Sequence, residues 1–462
     1  MSFGPRRALS LGALVLLAGL SLTGLVLGLR SDPPHDYEGH DPRADWRGPA
    51  QARIEKYRKA DLKLKVEDEA GPLSGARVRV RMTGHAYRFG TQVNAELLMA
   101  DGQPSEVYRE RLKELFNYAT LNVFYNWTWD TPEKVQKRKV SSLSALKWLK
   151  DNDFRVRGHV LVWNRGRKKA TPQELAGTSD EQIRQQVRHH LEQTIGDPAF
   201  AAIDDWDVLN EPSDNSDLFA RLGAAGAAEW LVAAHQFAPE ARLFVNEHKL
   251  CSGDLKESRL VAVTQLMKEL QKRQAPVDGL GLQSHHIGSL AGIPQVLDRL
   301  ERLGSLGVAL EVTEYDVRLQ ASQATGTFEQ RWRTAPTTRP GPELEQLEAD
   351  YLRDYMTACF SSPATTGFVV WGFDGPSHWL HNSPFYREDG TEKPGLATWK
   401  QLVYNDWWTR ADGVTDSQGE FTVPGFLGEY EIVVEAGGRS QRLKTTLKAG
   451  GAEVTLRLDE ER

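Results

Sequence analysis

Eight short apolar segments alternate with longer amphipathic segments between residues 87 and 375. The apolar segments are YRFGTQV (87–93), LNVFYNW (121–127), FRVRGHVLVWN (154–164), DDWDVLNEP (204–212), ARLFVNEH (241–248), GLGLQSHH (279–286), VALEVTEYDV (308–317) and TGFVVWGFDG (366–375). The stretches between them, such as SLSALKWLKDN and SRLVAVTQLMKELQKR, have the apolar spacing of helices. Eight strand–helix units over about 320 residues predict the α/β class and a (β/α)8 TIM barrel.

The last residues of these segments are unusually polar. They are Asn126, His159, Asn164, Asn210, Glu211, Asn246, Glu247, His248, Gln283, His285, His286, Glu314, Asp316, Trp371 and Asp374. In a (β/α)8 barrel the C-terminal ends of the strands build the active site. Polar ends on seven strands therefore predict one shared polar cleft.

The fourth segment contains four polar side chains whose burial costs free energy. Asp205, Asp207, Asn210 and Glu211 belong to a strand that reads as buried. A buried carboxylate must be paired, hydrogen-bonded or protonated. Glu211 is therefore either a functional group or a well-satisfied structural one.

Glycosidic bond hydrolysis needs two carboxyl groups on opposite sides of the scissile bond. Glu211 ends the fourth strand, and Glu314 lies near the end of the seventh. Strands four and seven lie on opposite sides of an eight-stranded barrel. We therefore expect these two side chains to face each other across its mouth.

Five of these motifs, in this order, resemble glycoside hydrolase family 10. They are RGHVLVWN, WDVLNEP, GLGLQSHH, EVTEYD, and VVWGF followed by SHW, and the resemblance runs from about Tyr87 to Trp408. The family consists mainly of endo-β-1,4-xylanases with a (β/α)8 barrel and a retaining mechanism. The resemblance implies a hydrolase that acts on xylan-like β-1,4-linked polysaccharide and needs no cofactor.

The resemblance also implies roles for single residues. Glu211 would be the general acid/base and Glu314 the nucleophile. Asn210 would bind the sugar 2-hydroxyl, and His285 would bridge Glu314 and Asp316. The remaining substrate-binding residues implied by the motifs are His159, Gln283, Trp163, Trp371 and Trp379. A nucleophile beside a histidine stays ionised, whereas a nearby acid in a drier pocket has a raised pKa.

The second strand departs from the family pattern. Phe124, Tyr125 and Thr128 stand where the family has a Glu-Asn pair and a Lys that grip the next sugar. Tyr315 replaces a Leu between the nucleophile and Asp316. The chemistry expected is that of a retaining β-glycosidase, while the glycan stays open. The alternatives are another glycan, transglycosylation, or a barrel that binds glycan without cleaving it.

Several of the polar strand ends could also be read as metal ligands. They are His159, His285, His286, His248 and Glu247. Their spacing matches no familiar metal motif. We therefore expect no metal.

The N-terminus has the pattern of a membrane segment. Arg6 and Arg7 precede an uncharged run from Ala8 to Leu29, which is long enough to span a bilayer. We expect residues 1–30 to be a signal-anchor or transmembrane segment and the rest to be extracytoplasmic. A cleaved signal peptide is the alternative. Residues 31–60 read as a tether with a short helix.

The segments 61–84 and 409–462 show short alternating strands with Gly turns. They resemble the two halves of a carboxypeptidase regulatory-like β-sandwich. We expect these halves to pair into a small all-β sandwich, with the barrel (85–408) inserted between them. Two separate elements, each packed on the barrel, are the alternative.

Composition limits the partners. The net charge is -6, and the basic residues are dispersed, so nothing indicates a nucleic-acid footprint. The expected partners are a polysaccharide substrate and, through the N-terminal segment, a membrane. A monomer is expected. Cys251 and Cys359 suit either one disulfide or two buried thiols.

Overall fold

The computed structural model describes residues 36–123, 132–163, 177–214, 218–253, 255–319 and 340–458. The expected signal-anchor and the residues Phe124, Tyr125, Thr128, Asn126 and Asn164 lie outside these ranges. Within the described ranges, no helix has both the length and the apolar character needed to cross a membrane.

Strands dominate both ends of the described chain and alternate with helices between them. The strands are β1 (Lys59–Asp68), β2 (Gly71–Pro72), β3 (Arg77–His85), β4 (Arg88–Val93), β5 (Tyr118–Asn122), β6 (Arg155–His159), β7 (Val162–Trp163), β8 (Asp205–Asn210), β9 (Arg242–Glu247), β10 (Gly279–Leu282), β11 (His285–Ile287), β12 (Ala309–Arg318), β13 (Thr365–Val370), β14 (Arg410–Val414), β15 (Glu420–Phe426), β16 (Gly428–Ala436), β17 (Arg439–Leu447) and β18 (Ala452–Arg457).

The helices fall mainly between the barrel strands. They are α1 (Arg47–Arg58), α2 (Ala95–Met99), α3 (Gln103–Leu115), α4 (Pro132–Asp151), α5 (Asp180–Thr194), α6 (Leu218–Phe237), α7 (Glu257–Lys272), α8 (Ile293–Gly304), α9 (Pro342–Ser361) and α10 (Pro394–Gln401). Helix α6 is interrupted by Gly223, which has non-helical backbone angles.

The predicted barrel is confirmed. Eight parallel strands pair in the order β10-β9-β8-β6-β5-β4-β13-β12, and β10 pairs with β12 to close the ring. The short strands β7 and β11 lie near the ends of the third and sixth apolar segments. Strand β7 pairs with β8, and β11 pairs with β12. All parallel strands end on one face, so the polar strand ends converge there.

The second barrel strand begins earlier than its apolar run suggested. It covers Tyr118–Asn122, not 121–127. The ring of Tyr118 is fully buried in this strand, and its hydroxyl donates to Asp205 at 2.6 Å. Tyr118, Thr120 and Asn122 make the sequence of this strand look more polar than that of a buried strand.

Buried ion pairs explain the charged residues inside the barrel strands. Arg157 pairs with Asp207 and, at 2.8 Å, with Glu311. Arg242 lies 2.6 Å from Asp205 and 2.8 Å from Glu311. Asp205, Asp207 and Glu311 therefore each have a guanidinium partner, which offsets the cost of removing them from water.

The strands that precede the barrel in sequence pair with strands that follow it. One small sheet has the order β15-β1-β18 with β2 beside β1, and the other has the order β14-β3-β16-β17. Leu62 lies opposite Val423, and Val80 lies opposite Ile432. These four side chains are buried, whereas their neighbours along each strand are more exposed. The expected pairing of the two segments is thus present, while their likeness to a regulatory sandwich stays a prediction.

Aromatic side chains join the small sheets to the barrel. Trp407 stacks on Phe360 with ring centroids 4.1 Å apart, and His85 contacts Trp408 and Phe89 at 5.3 and 5.0 Å.

Cys251 and Cys359 are buried free thiols. Of the two alternatives for the cysteines, the structure therefore shows two buried thiols and not a disulfide.

Candidate active site

The two predicted catalytic carboxylates lie at the C-terminal ends of β8 and β12. Glu211 and Glu314 are 8% and 4% exposed. Glu211 directly follows β8 with a φ of 51°, and its amide donates to the carbonyl oxygen of Asn246 at 2.7 Å. This left-handed backbone is uncommon for a residue other than glycine, so the hydrogen bond to β9 helps to hold Glu211 in place.

Glu314 receives two side-chain contacts. Asn246 donates from Nδ2 to Oε1 of Glu314 at 2.8 Å. His285 places Nε2 3.1 Å from Oε2 of Glu314 and Nδ1 2.9 Å from Asp316. Trp379 donates from Nε1 to the other oxygen of Asp316 at 2.7 Å. The histidine is therefore held between two carboxylates, and its far partner is itself fixed.

His285 carries a positive charge in this setting. Burial opposes the charge, but the carboxylates of Asp316 and Glu314 outweigh burial and raise the pKa of His285 to about 10. An imidazolium beside Glu314 favours the ionised form of that carboxyl group. Glu314 is thus equipped to act as an anion.

Glu211 has a different set of partners. Trp163 donates from Nε1 to Oε2, and Gln283 donates from Nε2 to Oε1, both at 3.2 Å. Nδ1 of His248 lies 3.8 Å from Oε1 of Glu211. Among the described residues, two neutral donors and one histidine lie around this carboxyl group, and these side chains come from three different barrel strands or their ends.

A chain of amides connects the two carboxylates. Gln283 also reaches the amide oxygen of Asn210 at 3.3 Å, and the same oxygen accepts from Asn246 at 2.9 Å. Because Asn246 donates to Glu314 as well, the polar contacts run without a gap from Glu211 to Glu314. The strand ends thus form a single connected site.

His159 links this site to the ion pairs inside the barrel. Its Nδ1 lies 2.8 Å from Asp207, which also pairs with Arg157. Burial opposes a charge on His159, but the hydrogen bond to Asp207 outweighs it and raises the pKa of the imidazole. The ring lies 5.2 Å from that of Trp371 at a steep angle.

A cavity of about 410 Å³ opens beside Trp371 and Trp379. Gln92, Asn94 and Asn122 add polar groups to its lining. Aromatic faces with adjacent amides suit a sugar ring, which has apolar faces and polar edges. Phe124, Tyr125 and Thr128, the residues of the altered second strand, lie outside the described residues, so their part in the cleft stays a prediction.

The described residues contain one group whose ligand atoms are close enough to share a cation. It consists of Glu211, Asp214 and His248, all within 4.8 Å of one another. His248 points a different nitrogen at each carboxylate, Nδ1 at Glu211 and Nε2 at Asp214. Arg259 donates to Asp214 at 2.8 Å. A bridging imidazole and a guanidinium make this group an ion-pair network, and we assign no metal to it.

The structure adds partners that the sequence did not reveal. Asn246 was recognised only as a polar strand end, yet it contacts both Glu314 and Asn210. Asp214 and Arg259 were not singled out. Their pairing joins the loop after β8 to α7. The spacing of residues along the chain does not predict a contact between such distant segments.

A family comparison agrees with this geometry. The profile of Glycosyl hydrolase family 10 matches residues 79–403, which is more than half of the chain. The chain belongs to glycosyl hydrolase family 10. The match spans the whole barrel from β4 to α10, so both carboxylates of this family 10 barrel lie within it.

Two curated relatives cover most of the family 10 chain. Endo-1,4-beta-xylanase 1 of Arabidopsis thaliana is 27% identical over 395 residues, which are 85% of this chain and 38% of that protein. Anti-sigma-I factor RsgI6 of Acetivibrio thermocellus is 25% identical over 417 residues, which are 89% of this chain and 50% of that protein. The chain thus spans half or less of the length of these relatives.

Solved structures show the same fold. Xylanase 10B from Thermotoga petrophila, in complex with xylobiose, superposes with a TM-score of 0.58 at 20% identity and covers 70% of this chain and 95% of its own. A family 10 structure from Paenibacillus barcinonensis gives a TM-score of 0.55 at 18% identity, with coverages of 70% and 96%. These structures leave about 30% of the chain uncovered.

Proposed function

We propose that this family 10 chain is a retaining β-glycoside hydrolase that cleaves β-1,4-linked, xylan-like polysaccharide. The observation that carries the proposal is the pairing of Glu314 with a positively charged His285. The side-chain amides of Asn246, Asn210 and Gln283 connect this pair to Glu211. A nucleophilic carboxyl group must be ionised, whereas the acid must carry a proton when substrate binds. Of the two carboxyl groups, Glu314 has the nearer histidine, at 3.1 Å against 3.8 Å for Glu211.

The reaction has two steps. In the first, Glu314 attacks the anomeric carbon while the carboxylic acid of Glu211 gives its proton to the departing glycosidic oxygen. This step forms a glycosyl ester and leaves Glu211 as a carboxylate. In the second, Glu211 takes a proton from water, the resulting hydroxide equivalent attacks the anomeric carbon, and Glu314 is released. Net retention of configuration follows from the two displacements.

Substrate contacts follow from the positions of the polar strand ends. The side-chain amide of Asn210, held by Asn246 and Gln283, is proposed to meet the 2-hydroxyl group of the sugar in the cleaved linkage. His159 and Gln283 are proposed to bind the same sugar. Trp163, Trp371 and Trp379 are proposed to wall it. Trp371 and Trp379 line the cavity, and their rings lie 6.4 and 5.3 Å from that of His285, which supports this placement.

The glycan is proposed as xylan-like because several curated relatives carry xylanase names. Phe124, Tyr125 and Thr128 are proposed to change the neighbouring subsite, since aromatic and neutral side chains replace an acid, an amide and a base there. Stacking would then substitute for ionic and hydrogen-bonding contacts. Preference among β-1,4-glycans is therefore expected to differ from that of xylanases with the family pattern.

Release of reducing ends tests this proposal. The full-length chain is incubated with xylan, glucomannan, cellulose and mixed-linkage glucan, beside Glu314→Ala. Glu301→Ala, at an exposed position of α8, serves as the matched control. The proposal expects cleavage of at least one β-1,4-glycan by the wild type and the control and its loss in Glu314→Ala. Equal reducing-end release by Glu314→Ala would contradict the assigned nucleophile.

A barrel that binds glycan without cleaving it is the second candidate. The observation in its favour is that one relative covering 89% of this chain, Anti-sigma-I factor RsgI6, is named as an anti-sigma factor and not as a hydrolase. Binding measured by calorimetry on the same glycans separates the two functions. Affinity for a glycan in the wild type, without reducing-end release at any pH from 4 to 9, would favour the binding barrel.

We further propose an extracytoplasmic location, with residues 1–30 as the membrane anchor or signal. Arg6 and Arg7 before an uncharged run support it, and polysaccharide chains are too large to cross a membrane unaided. Fractionation of cells that express the full-length chain, followed by protease treatment of intact cells or spheroplasts, tests it. Protection of the barrel until the membrane is permeabilised would place it in the cytoplasm and contradict the proposal.

A further inference from the structure

Each catalytic carboxylate has its own histidine, and each histidine bridges to an aspartate. His285 joins Glu314 to Asp316 on one side of the mouth. On the other side, Nδ1 of His248 lies 3.8 Å from Glu211 and Nε2 lies 3.0 Å from Asp214. His248 thus faces Glu211 at ion-pair distance, whereas His285 is hydrogen-bonded to Glu314.

The His248 ring is held in place by several elements. It follows β9 directly and its side chain is 11% exposed, while Asp214 belongs to the short turn of helix after Glu211. Arg259 on α7 contacts Asp214 at 2.8 Å and Glu247 at 3.0 Å. The aspartate is therefore anchored from α7, and it fixes the imidazole nitrogen that points away from Glu211.

The charges facing His248 come from three segments. Glu211 and Asp214 lie after β8, Glu247 at the end of β9 is 3.9 Å from Nε2, and Arg259 lies on α7 behind Asp214 and Glu247. Both ring nitrogens thus face carboxylate oxygens at ion-pair distances, 3.8 Å from Nδ1 to Glu211 and 3.0 Å from Nε2 to Asp214, and carboxylates this close favour the charged form of an imidazole. The arrangement suits an imidazolium.

We propose that His248 is a positioning residue that orients Glu211 and sets the pH at which Glu211 loses its proton. The inference rests on the proposed role of Glu211 as acid/base and deepens it. An imidazolium 3.8 Å away favours the carboxylate form of Glu211, which is the form needed to activate water in the second step. The same positive charge on His248 lowers the highest pH at which Glu211 can still donate a proton.

Both histidines are held toward their charged form by neighbouring carboxylates. Burial opposes the charge on His248, but Asp214 and Glu211 outweigh it, so the pKa of His248 is raised from its ordinary value. His285 reaches a pKa of about 10 and keeps its charge through the neutral range.

The first test uses the pH profile of kcat/KM for glycan cleavage. His248→Asn keeps a neutral side-chain amide near the Nδ1 position, and His248→Lys keeps a positive charge. His189→Asn on α5, an exposed histidine, is the matched control. Loss of the charge raises the pKa of Glu211, so His248→Asn should move the basic limb up by about 1 pH unit or more. His248→Lys should leave that limb close to its wild-type position.

A purely structural role for His248 would lower kcat at every pH without moving the basic limb. That result, or an equal shift in His248→Asn and His248→Lys, would overturn the proposal. A basic limb that also moves in His189→Asn would do so as well, because the shift would then not belong to this site.

The second test does not depend on catalysis. Coupling between two titrating groups is reciprocal, so neutralising Glu211 must change the titration of His248. NMR titration of the imidazole signals should show a lower pKa for His248 in Glu211→Gln than in the wild type. An unchanged pKa of His248 would overturn the inference even if the chain proves to be a hydrolase. A lowered pKa would support it even if the chain only binds glycan.

Discussion

His285 places Nε2 3.1 Å from Oε2 of Glu314, and the opposite nitrogen of the same ring lies 2.9 Å from Asp316. The aspartate is in turn held by Nε1 of Trp379 at 2.7 Å. This relationship gives the nucleophile a fixed cation and fixes the orientation of the ring that carries it.

Removal of that cation should move the acidic limb of the pH profile. Glu314 must be ionised to attack, and His285 beside it carries a positive charge. In His285→Asn this charge is lost, so the acidic limb of kcat/KM should shift upward. The profile is measured on any glycan that the wild type cleaves. An acidic limb that stays in place would show that the charge on His285 does not act on Glu314.

Glu211→Ala should separate the two catalytic steps. Loss of the acid should lower cleavage of polysaccharide by about 10²–10⁴-fold. An aryl glycoside with a good leaving group needs no proton in the first step, so its glycosyl ester should still form and accumulate. Azide should speed the release of product, because it attacks the ester without a general base, and the glycosyl azide should keep the β configuration.

The matched control for the azide experiment is Glu314→Ala. Without its nucleophile this variant forms no glycosyl ester, so azide should yield no β-configured azide. A β-azide from Glu314→Ala, or the absence of azide rescue in Glu211→Ala, would contradict the division of roles.

Arg157 should matter for stability because its partners are buried. Removal of the guanidinium in Arg157→Leu leaves Asp207 and Glu311 without it inside the barrel. A broken buried pair of this kind costs about 3–5 kcal/mol of unfolding free energy. Arg184→Ala, which removes a partly exposed pair with Glu229, should cost less than about 1 kcal/mol. Urea unfolding measures both, and similar losses for the two variants would contradict this account of the barrel interior.

Acid should destabilise the fold through buried neutral histidines. Burial lowers the pKa of His85 and His190 to about 4, and burial together with nearby positive charge lowers that of His286 and His378 to about 3. Each group is protonated in the unfolded chain below about pH 6.5 but not in the folded one. The unfolded state therefore binds more protons, and unfolding free energy falls as pH drops from 6.5 toward 4, by about 3 kcal/mol per group at the limit.

His286→Asn tests this linkage. The amide oxygen can replace Nδ1 of His286, which accepts from the amide of Gly253 at 3.3 Å. The variant should lose stability at neutral pH through imperfect packing, but its unfolding free energy should depend less steeply on pH by about one proton. Urea unfolding at several pH values between 4 and 8 gives the slope. A slope equal to that of the wild type would exclude His286 as one of the linked groups.

Much of the site could be predicted because seven of the eight predicted strands end in polar residues, and one shared cleft accounts for all of them. Glu211, Glu314, Asn210, Gln283 and His285 stand at such ends, and parallel strands bring their ends together. The bridge from His285 to Glu314 and Asp316 was also expected, from the family resemblance.

Other features depend on contacts that sequence spacing does not encode. Asp205 and Asp207 look alike in DDWDV, yet one pairs with Arg242 and the other with Arg157 and His159. The link between His248 and Glu211 requires the exact approach of the ends of β8 and β9 and an aspartate held by α7. Such placements emerge only from packing in three dimensions.

Covalent trapping tests the central claim most directly. A 2-deoxy-2-fluoro β-glycoside with a good leaving group, of the glycan type that the chain cleaves, slows the second step more than the first, so a glycosyl ester accumulates. Peptide mass spectrometry of the labelled wild type should place one sugar on Glu314, and Glu314→Ala should remain unlabelled. A label on another residue, or turnover with inversion of configuration and no label, would contradict a retaining mechanism in which Glu314 is the nucleophile.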